Sequence, residues 1–223
     1  MRQMTKKYKQ IGHSIPKTGI TERLTGKPVF SADIPLKDPL TLRVLRSAHP
    51  HALIRSIDTE KASAINGVAG VFTAADIPGI NAHGIINKDQ PLLMGDKVRS
   101  LADPVVLVAA TDDQAALQAL SQIKVTYDPL PTVLTTKEAL EPDAPLIHEK
   151  GNILFTRKIK RGDATAAFAR CDVIVEKTYR TARIEHAYLE PDAGAGYVDD
   201  NDTIVIYATT QNPHYDTRRW STF

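Results

Sequence analysis

The sequence predicts a mixed α+β fold, and three observations carry the prediction. A continuous apolar run at 105–110 is followed by a helical stretch and then by an alternating run at 123–127. Of two further strand-like runs, 40–47 alternates apolar and polar residues until Val44-Leu45, as a half-buried strand does, and 52–57 resumes as a strand after a breaker. The helical stretches are short and fall between strands, with no sustained heptad that would build a bundle.

Taken in order, residues 27–34 read as a first strand: Pro28 suits a strand start, and Phe30, Ala32 and Ile34 share one face. Residues 40–47 form the second strand and 52–57 the third, separated by the breaker Ser47-Ala48-His49-Pro50-His51. Asp58 or Thr59 caps a short helix, 60–65, which stops at Asn66-Gly67 before a strand at 68–72. Residues 78–96, rich in Gly, Asn, Asp and Pro, form a long excursion of the kind used for partner contact or left without order. Asp103-Pro104 opens the buried strand. Thr111-Asp112-Asp113-Gln114 has the spacing of a capping box with Thr111 at the cap, and places Ala116, Leu117 and Leu120 on the buried face of a helix over 115–122.

A short helix is expected at 135–140, and the two prolines of Glu141-Pro142-Asp143-Ala144-Pro145 mark a linker, with a domain boundary near 142–152. Beyond it the pattern predicts a basic strand at 155–161, a helix at 164–170 capped by Asp163, and a long strand at 173–180. A strand pair follows at 193–198 and 203–208 around Asp199-Asp200-Asn201-Asp202, then the beginning of a helix from Asp216. About 75 residues after the linker make a thin second core.

Composition excludes several classes. Net charge is +2 in 223 residues, too little to hold nucleic acid or an acidic membrane across the whole surface. Charge is uneven: residues 1–27 carry seven cationic side chains against Glu22 alone, while the remainder is −4. That basic arm reads as a solvated N-terminus. Cys171 is the sole cysteine, so no disulfide, zinc cluster or iron–sulfur cluster can be built from thiolates within this chain. Its place before an apolar run predicts a buried, inert thiol. No apolar run is long enough to span a bilayer, and the cytoplasm is the expected location.

The stretch of greatest chemical interest is Thr209-Thr210-Gln211-Asn212-Pro213-His214, where a strand ends at an amide, an X-Pro step and a histidine. His186-Ala187-Tyr188-Leu189-Glu190-Pro191 lies about twenty residues upstream. His186 and Glu190 are four apart but lack the second histidine of a metalloprotease helix, and His49 and His51 flank Pro50 in what reads as a structural loop. Arg161-Gly162-Asp163 spells an adhesion tripeptide that helix capping by Asp163 explains, and Arg157, Lys158, Lys160 and Arg161 read as a solvated strand face. No Ser–His–Asp set, Walker loop or dinucleotide fingerprint is present. The residues themselves name no catalytic group and no metal ligand.

Four stretches together carry a resemblance. They are Thr25-Gly26-Lys27-Pro28-Val29-Phe30-Ser31-Ala32-Asp33, Leu45-Arg46-Ser47-Ala48-His49-Pro50-His51-Ala52, Asp103-Pro104-Val105-Val106-Leu107-Val108-Ala109 and Val125-Thr126-Tyr127-Asp128-Pro129-Leu130-Pro131. With Thr210-Gln211-Asn212-Pro213-His214 after them, the chain resembles the large subunit of the xanthine dehydrogenase and aldehyde oxidase family of molybdenum hydroxylases. The resemblance implies a basic N-terminal arm (1–23), an a/b hammerhead domain (24–145) and the incomplete start of a molybdopterin-binding domain (146–223). It also implies the family's chemistry: a molybdopterin-bound molybdenum hydroxylates a carbon with oxygen from water, and electrons leave through iron–sulfur and flavin subunits. Gln211 matches the family glutamine beside the metal, a neutral amide that donates to an oxo ligand without adding charge.

The family's Gly-Gly-Phe-Gly stretch and its catalytic glutamate have no counterpart here; neither Glu185 nor Glu190 matches that glutamate's setting. The expectation is therefore a truncated or split large subunit, inactive alone and completed by a partner chain. The alternative is a non-catalytic hammerhead module with a binding or assembly role, or a remnant.

Overall fold

The computed structural model describes residues 10–188 and 192–220. Of the basic arm, Arg2, Lys6, Lys7 and Lys9 lie outside the described residues, as do Leu189, Glu190 and Pro191. The chain divides into two compact units, one of Asp38–Ala187 with Asn212–Phe223, the other of Met1–Lys37 with Tyr188–Gln211.

The first unit begins with β1 (Thr41–Arg46), β2 (Ala52–Asp58), β3 (Val68–Phe72), β4 (Lys97–Val98), β5 (Pro104–Ala110) and β6 (Lys124–Pro129). They form two three-stranded sheets, ordered β1-β5-β3 and β4-β2-β6, antiparallel throughout. In the first sheet Val44 faces Leu107 on one side of β5 and Val71 faces Val108 on the other. Val105, Val106, Val108 and Ala110 of β5 are fully buried, which is why this strand reads as an unbroken apolar run. The strand–helix–strand unit expected at 105–127 exists, but β5 and β6 belong to different sheets, so it is a crossover between sheets and not a parallel βαβ unit.

The helix between them spans Asp113–Gln122. It and its two predecessors in sequence, Ile20–Leu24 and Glu60–Ser63, are labelled α3, α1 and α2. Asp112, not Thr111, caps α3: its Oδ1 accepts from the Ala115 N–H at 2.8 Å. The buried face also differs from the expected one. Ala115, Ala116 and Ala119 face the core, while Leu117 is 51 % exposed, against expectation. Small residues let the helix axis approach β1 and β5 closely, and one cluster unites Ala116 and Ala119 with Val105, Val106 and Val108 and with Ala52 and Val98 of the second sheet.

The helix α2 starts where Asp58 Oδ1 accepts from the Glu60 N–H at 3.1 Å and ends before Gly67. Gly67 adopts φ 88°, its carbonyl accepts from the Thr111 N–H at 2.8 Å, and a Cβ there would lie 2.8 Å from Thr111 Oγ1. The excursion 78–96 carries one bridge, His83 with Gln90, and is pinned by Asn81, whose Oδ1 accepts from Leu92 N–H and whose Nδ2 donates to Leu93 O, both at 2.7 Å. It delivers buried Leu93 and Met94 to the unit and leads into β4, which the sequence pattern did not reveal. A fourth helix, α4 (Thr136–Ala139), has a complete capping box between Thr135 and Glu138. Asn152 then ties the linker, accepting from Ile147 N–H and donating to Ala139 and Pro145 carbonyls.

Several expected strands are corrected. Residues 27–34 form no strand: Asp33 folds back so that its carboxylate accepts from the Phe30 N–H at 3.0 Å, closing a 3-10 turn, Ser31–Asp33. Residues 155–161 and 173–180 form no strand and belong to no ladder among the described residues: a segment with strand-like composition becomes a strand only where another takes its backbone hydrogen bonds. Between them α5 (Ala164–Phe168) is capped by Asp163 Oδ1 on the Ala166 N–H at 3.0 Å, as expected. Cys171 is exposed, contrary to the buried thiol expected, since the run that should cover it joins no sheet.

The second unit holds α1, the 3-10 turn and the hairpin of β7 (Gly194–Val198) and β8 (Ile204–Ala208). In sequence β8 is followed by α6 (Pro213–Trp220). Replacing Val106 by Ala is expected to lower stability by about 2 kcal/mol through the cavity left in the core. Asp112→Ala is expected to cost about 1 kcal/mol through the lost cap. Urea unfolding followed by circular dichroism measures both; an unchanged midpoint for Val106→Ala would contradict the placement of β5.

Candidate functional site

The candidate site grows from the hairpin. Its turn is closed by Asp199, whose Oδ1 accepts from the Asn201 and Thr203 N–H groups at 2.9 Å each, while its own N–H donates to Thr203 O at 2.9 Å. Asp202 takes up the left-handed conformation at φ 58°, tolerable for an Asp at a tight turn. The hydrogen bond from the Thr203 backbone, and then that from Asn201, hold the Asp199 carboxyl below the usual carboxylate range. The register runs from Val198 opposite Ile204 to Gly194 opposite Ala208, and the Tyr197 and Tyr207 rings stack with centroids 6.3 Å apart.

Beyond the last ladder pair, the Thr209 N–H donates to Ala193 O at 3.0 Å, and Thr209 Oγ1 accepts from the Ala193 N–H at 3.3 Å. The hairpin is thus held together as far as Thr209. Further along the chain Pro213 occupies the first turn of α6, where its missing N–H costs nothing, and Asn212 O accepts from Tyr215 and Asp216 N–H groups at 3.0 and 3.1 Å. Gln211 therefore lies two residues past the last hairpin bond and two before Pro213 in sequence. Its side chain is exposed and makes no hydrogen bond among the described residues. A neutral amide so placed offers two N–H donors and one acceptor to a ligand.

The other residues singled out in the sequence fall elsewhere. His186 is exposed, in the unit that does not contain Gln211, and Glu190 lies outside the described residues. His51 is buried in the unit of β1–β6: its Nδ1 lies 2.6 Å from Pro131 O, and its carbonyl accepts from the Leu130 N–H at 3.0 Å, tying 130–131 to the start of β2. His49 packs its ring on Tyr127 at 4.8 Å, and burial raises the Tyr127 hydroxyl above its ordinary range. These histidines hold a loop together. Among the described residues no three His, Cys, Asp or Glu side chains converge as metal ligands. Arg157, Lys158, Lys160 and Arg161 are all exposed.

Two shallow grooves mark the unit containing β1–β6. One of about 250 Å³ is lined by Ile54–Ile57, Thr73–Ala75 and Gly95; the other, of about 330 Å³, lies between α4 and Ile147, His148 and Asn152. Neither includes Gln211. The anchoring roles of Asn81, Asn152 and Asp103, whose carboxylate accepts from Arg99 and Ser100 N–H groups, escaped sequence reading. A lone Asn or Asp in a loop gives no signal until its backbone neighbours are placed. No helix among the described residues is long and apolar enough to cross a membrane.

Comparison with known proteins bears on this geometry. Residues 25–131 match the family model described as aldehyde oxidase and xanthine dehydrogenase, a/b hammerhead domain, and residues 147–222, which contain Gln211, match the molybdopterin cofactor-binding domain. The chain is 42 % identical over 213 residues to the nicotinate dehydrogenase large molybdopterin subunit of Eubacterium barkeri, covering 96 % of this chain and 50 % of that one. It is 38 % identical over 194 residues to a probable xanthine dehydrogenase subunit of Bacillus subtilis, covering 87 % of this chain and 26 % of the relative. Among solved structures, quinoline 2-oxidoreductase from Pseudomonas putida 86 superposes with a TM-score of 0.84 at 28 % identity, over 97 % of this chain and 29 % of that one. The chain thus spans between a quarter and a half of the length of these relatives.

The turn chemistry makes a prediction. Because the folded Asp199 carboxyl titrates below its unfolded value, its contribution to the hairpin is whole above the ordinary carboxylate range and is lost as pH falls through the lowered folded value. The Thr203 amide resonance should report that transition by NMR, with a midpoint below the ordinary value of about 3.9. A midpoint at or above it would contradict the turn geometry.

Proposed function

Since the chain belongs to the aldehyde oxidase and xanthine dehydrogenase family of molybdenum hydroxylase large subunits, we propose that it provides such an enzyme with its hammerhead domain and the opening part of its cofactor-binding domain. In this reading 24–145 is the hammerhead portion, 146–223 the cofactor-binding portion, and the protein works in the cytoplasm with iron–sulfur and flavin subunits. The observation that carries the proposal is Gln211: an exposed amide without a hydrogen-bond partner among the described residues, two residues past a hydrogen-bonded hairpin end, within the stretch that matches the molybdopterin-binding model.

Molybdopterin-bound molybdenum, when present, supplies the two-electron oxidation that hydroxylates a carbon. This chain's share is to bind and orient. Gln211 is the residue whose amide would donate to the bound group, and a neutral donor would steady it without altering net charge. The hairpin register, carried on by the Thr209–Ala193 bonds, steadies the backbone that leads to Gln211. No group in this chain is assigned the role of catalytic base. That role, the glycine-rich cofactor contacts and the substrate pocket belong to the length of the relatives that this chain does not span. The substrate class follows from that other part.

Gln211→Ala, tested in the assembled enzyme, is expected to lower molybdenum content or turnover by roughly 10- to 100-fold and to change the Mo(V) electron paramagnetic resonance spectrum, with the unfolding midpoint of the chain unchanged. Metal analysis and spectroscopy decide it. Molybdenum content, spectrum and turnover all left as in the parent enzyme would remove Gln211 from the site. An assembly holding no molybdenum in either form would favour the hammerhead module with a purely structural role.

A further inference from the structure

We propose that Asn66 is a site of spontaneous covalent modification: its side-chain amide is lost to attack by the Gly67 backbone nitrogen, and the isoaspartate left behind unlatches the turn between α2 and β3.

The step needs only the chain and water. The Gly67 nitrogen forms a bond to Cγ of Asn66, the Cγ–Nδ2 bond breaks, and the proton of the Gly67 N–H leaves with Nδ2 as ammonia. A cyclic imide remains, and water opens it. Attack at Cγ breaks the new bond and gives ordinary aspartate. Attack at the backbone carbonyl carbon of Asn66 breaks its bond to the Gly67 nitrogen, and the main chain then runs through the side chain as isoaspartate. In both cases the hydroxyl goes to the carbon and the proton to the Gly67 nitrogen.

Ring closure demands an uncrowded attacking nitrogen, an N–H not engaged elsewhere and a side-chain amide that is free to turn. The chain has six asparagines, and Asn66 alone is followed by glycine, which has no side chain to crowd its nitrogen. Asn66 is exposed and its side chain makes no hydrogen bond among the described residues; the Gly67 N–H donates to none of them either. The other five each fail a requirement. The N–H after Asn81, that of Ala82, donates to Ile80 O at 2.7 Å, and the N–H after Asn201, that of Asp202, donates to Asp199 O at 3.1 Å. The Asn81 and Asn152 side chains are held by the loop bonds described above. Asn212 precedes Pro213, which has no N–H, and Asn87 precedes Lys88, whose side chain crowds the nitrogen.

The consequence follows from the turn. It is closed by the Val68 N–H donating to Ile65 O at 3.1 Å, and Gly67 O accepts from the Thr111 N–H at 2.8 Å. Gly67 holds φ 88°, and even a Cβ there would stand 2.8 Å from Thr111 Oγ1. Isoaspartate inserts one more backbone carbon between Ile65 and Val68 and leaves a new carboxylate on the main chain. The lengthened turn cannot keep both bonds, so β3 loses an anchor beside the end of β5. Aspartate leaves the main chain as it was and adds only a charge at an exposed position.

The test incubates the folded full chain at neutral pH and physiological temperature and reads the tryptic peptide 62–88, cut after Lys61 and Lys88, by fragmentation mass spectrometry. Isoaspartyl methylation is the second readout. The expected result is acid at position 66 accumulating several-fold faster than at Asn81, Asn87, Asn152 or Asn201, with isoaspartate the larger share. Asn66→Gln, whose longer side chain requires a larger ring, should keep its amide. The isoaspartyl fraction, separated by ion exchange, should melt roughly 2–4 °C below the parent chain, the shift that one lost backbone hydrogen bond produces at this size. Asn66→Asp should melt with the parent. An amide at 66 that outlasts Asn87 or Asn201 would overturn the proposal, as would one that converts in the urea-unfolded chain and persists in the folded one. An isoaspartyl fraction that melts with Asn66→Asp would overturn the unlatching.

Discussion

The structure depends on one constraint, the two-sided pairing of β5. Pairing with β1 along most of 104–110 and with β3 over 107–110 takes up most of its backbone polar groups, and the strand buries Val105, Val106, Val108 and Ala110 completely. Everything in that unit is referred to this strand. The helix α3 lays its alanine face across it, the Asp112 cap fixes where that helix starts, and Gly67 approaches Thr111 just past its end. The second sheet joins the same apolar cluster through Ala52 and Val98.

The same rule, applied where pairing fails, accounts for the second half of the chain. Residues 173–180 are as strand-like in composition as β5, yet they remain exposed and unladdered. Backbone without a ladder neighbour keeps its hydrogen bonds with water, and burial of its side chains would strand those groups. The β7–β8 hairpin escapes this because its own turn, closed by Asp199, brings the complementary strand within reach. It is a local solution, and Gln211 follows directly from its open end.

Much of the backbone frame around the candidate site was legible beforehand, for a reason that particular residues make plain. The hairpin around 199–202 is encoded by contiguous turn residues, and the Pro213 step by the fixed geometry of proline, so both could be read from neighbours in sequence. Gln211 was singled out by resemblance alone, and in the structure its side chain is exposed. The loop anchors were not legible. Asn81 reaches Leu93, Asn152 reaches Ala139 and His51 reaches Pro131, and nothing in the local pattern around Asn81, Asn152 or His51 announces a partner 12, 13 or 80 residues away.

By itself the sequence determined the α+β class, β1, β2, β3, β5 and β6, the cap at Asp163 and the hairpin, because each rests on apolar patterning, capping or turn chemistry within a few residues, and the family, through its ordered motif stretches. Only the tertiary structure decided that β5 and β6 part into different sheets, that Leu117 turns outward, that Cys171 is exposed and that 155–161 and 173–180 form no strands. A strand is not a property of a segment alone. It exists when another segment lies alongside to take its hydrogen bonds, and that neighbour is chosen by the folded chain.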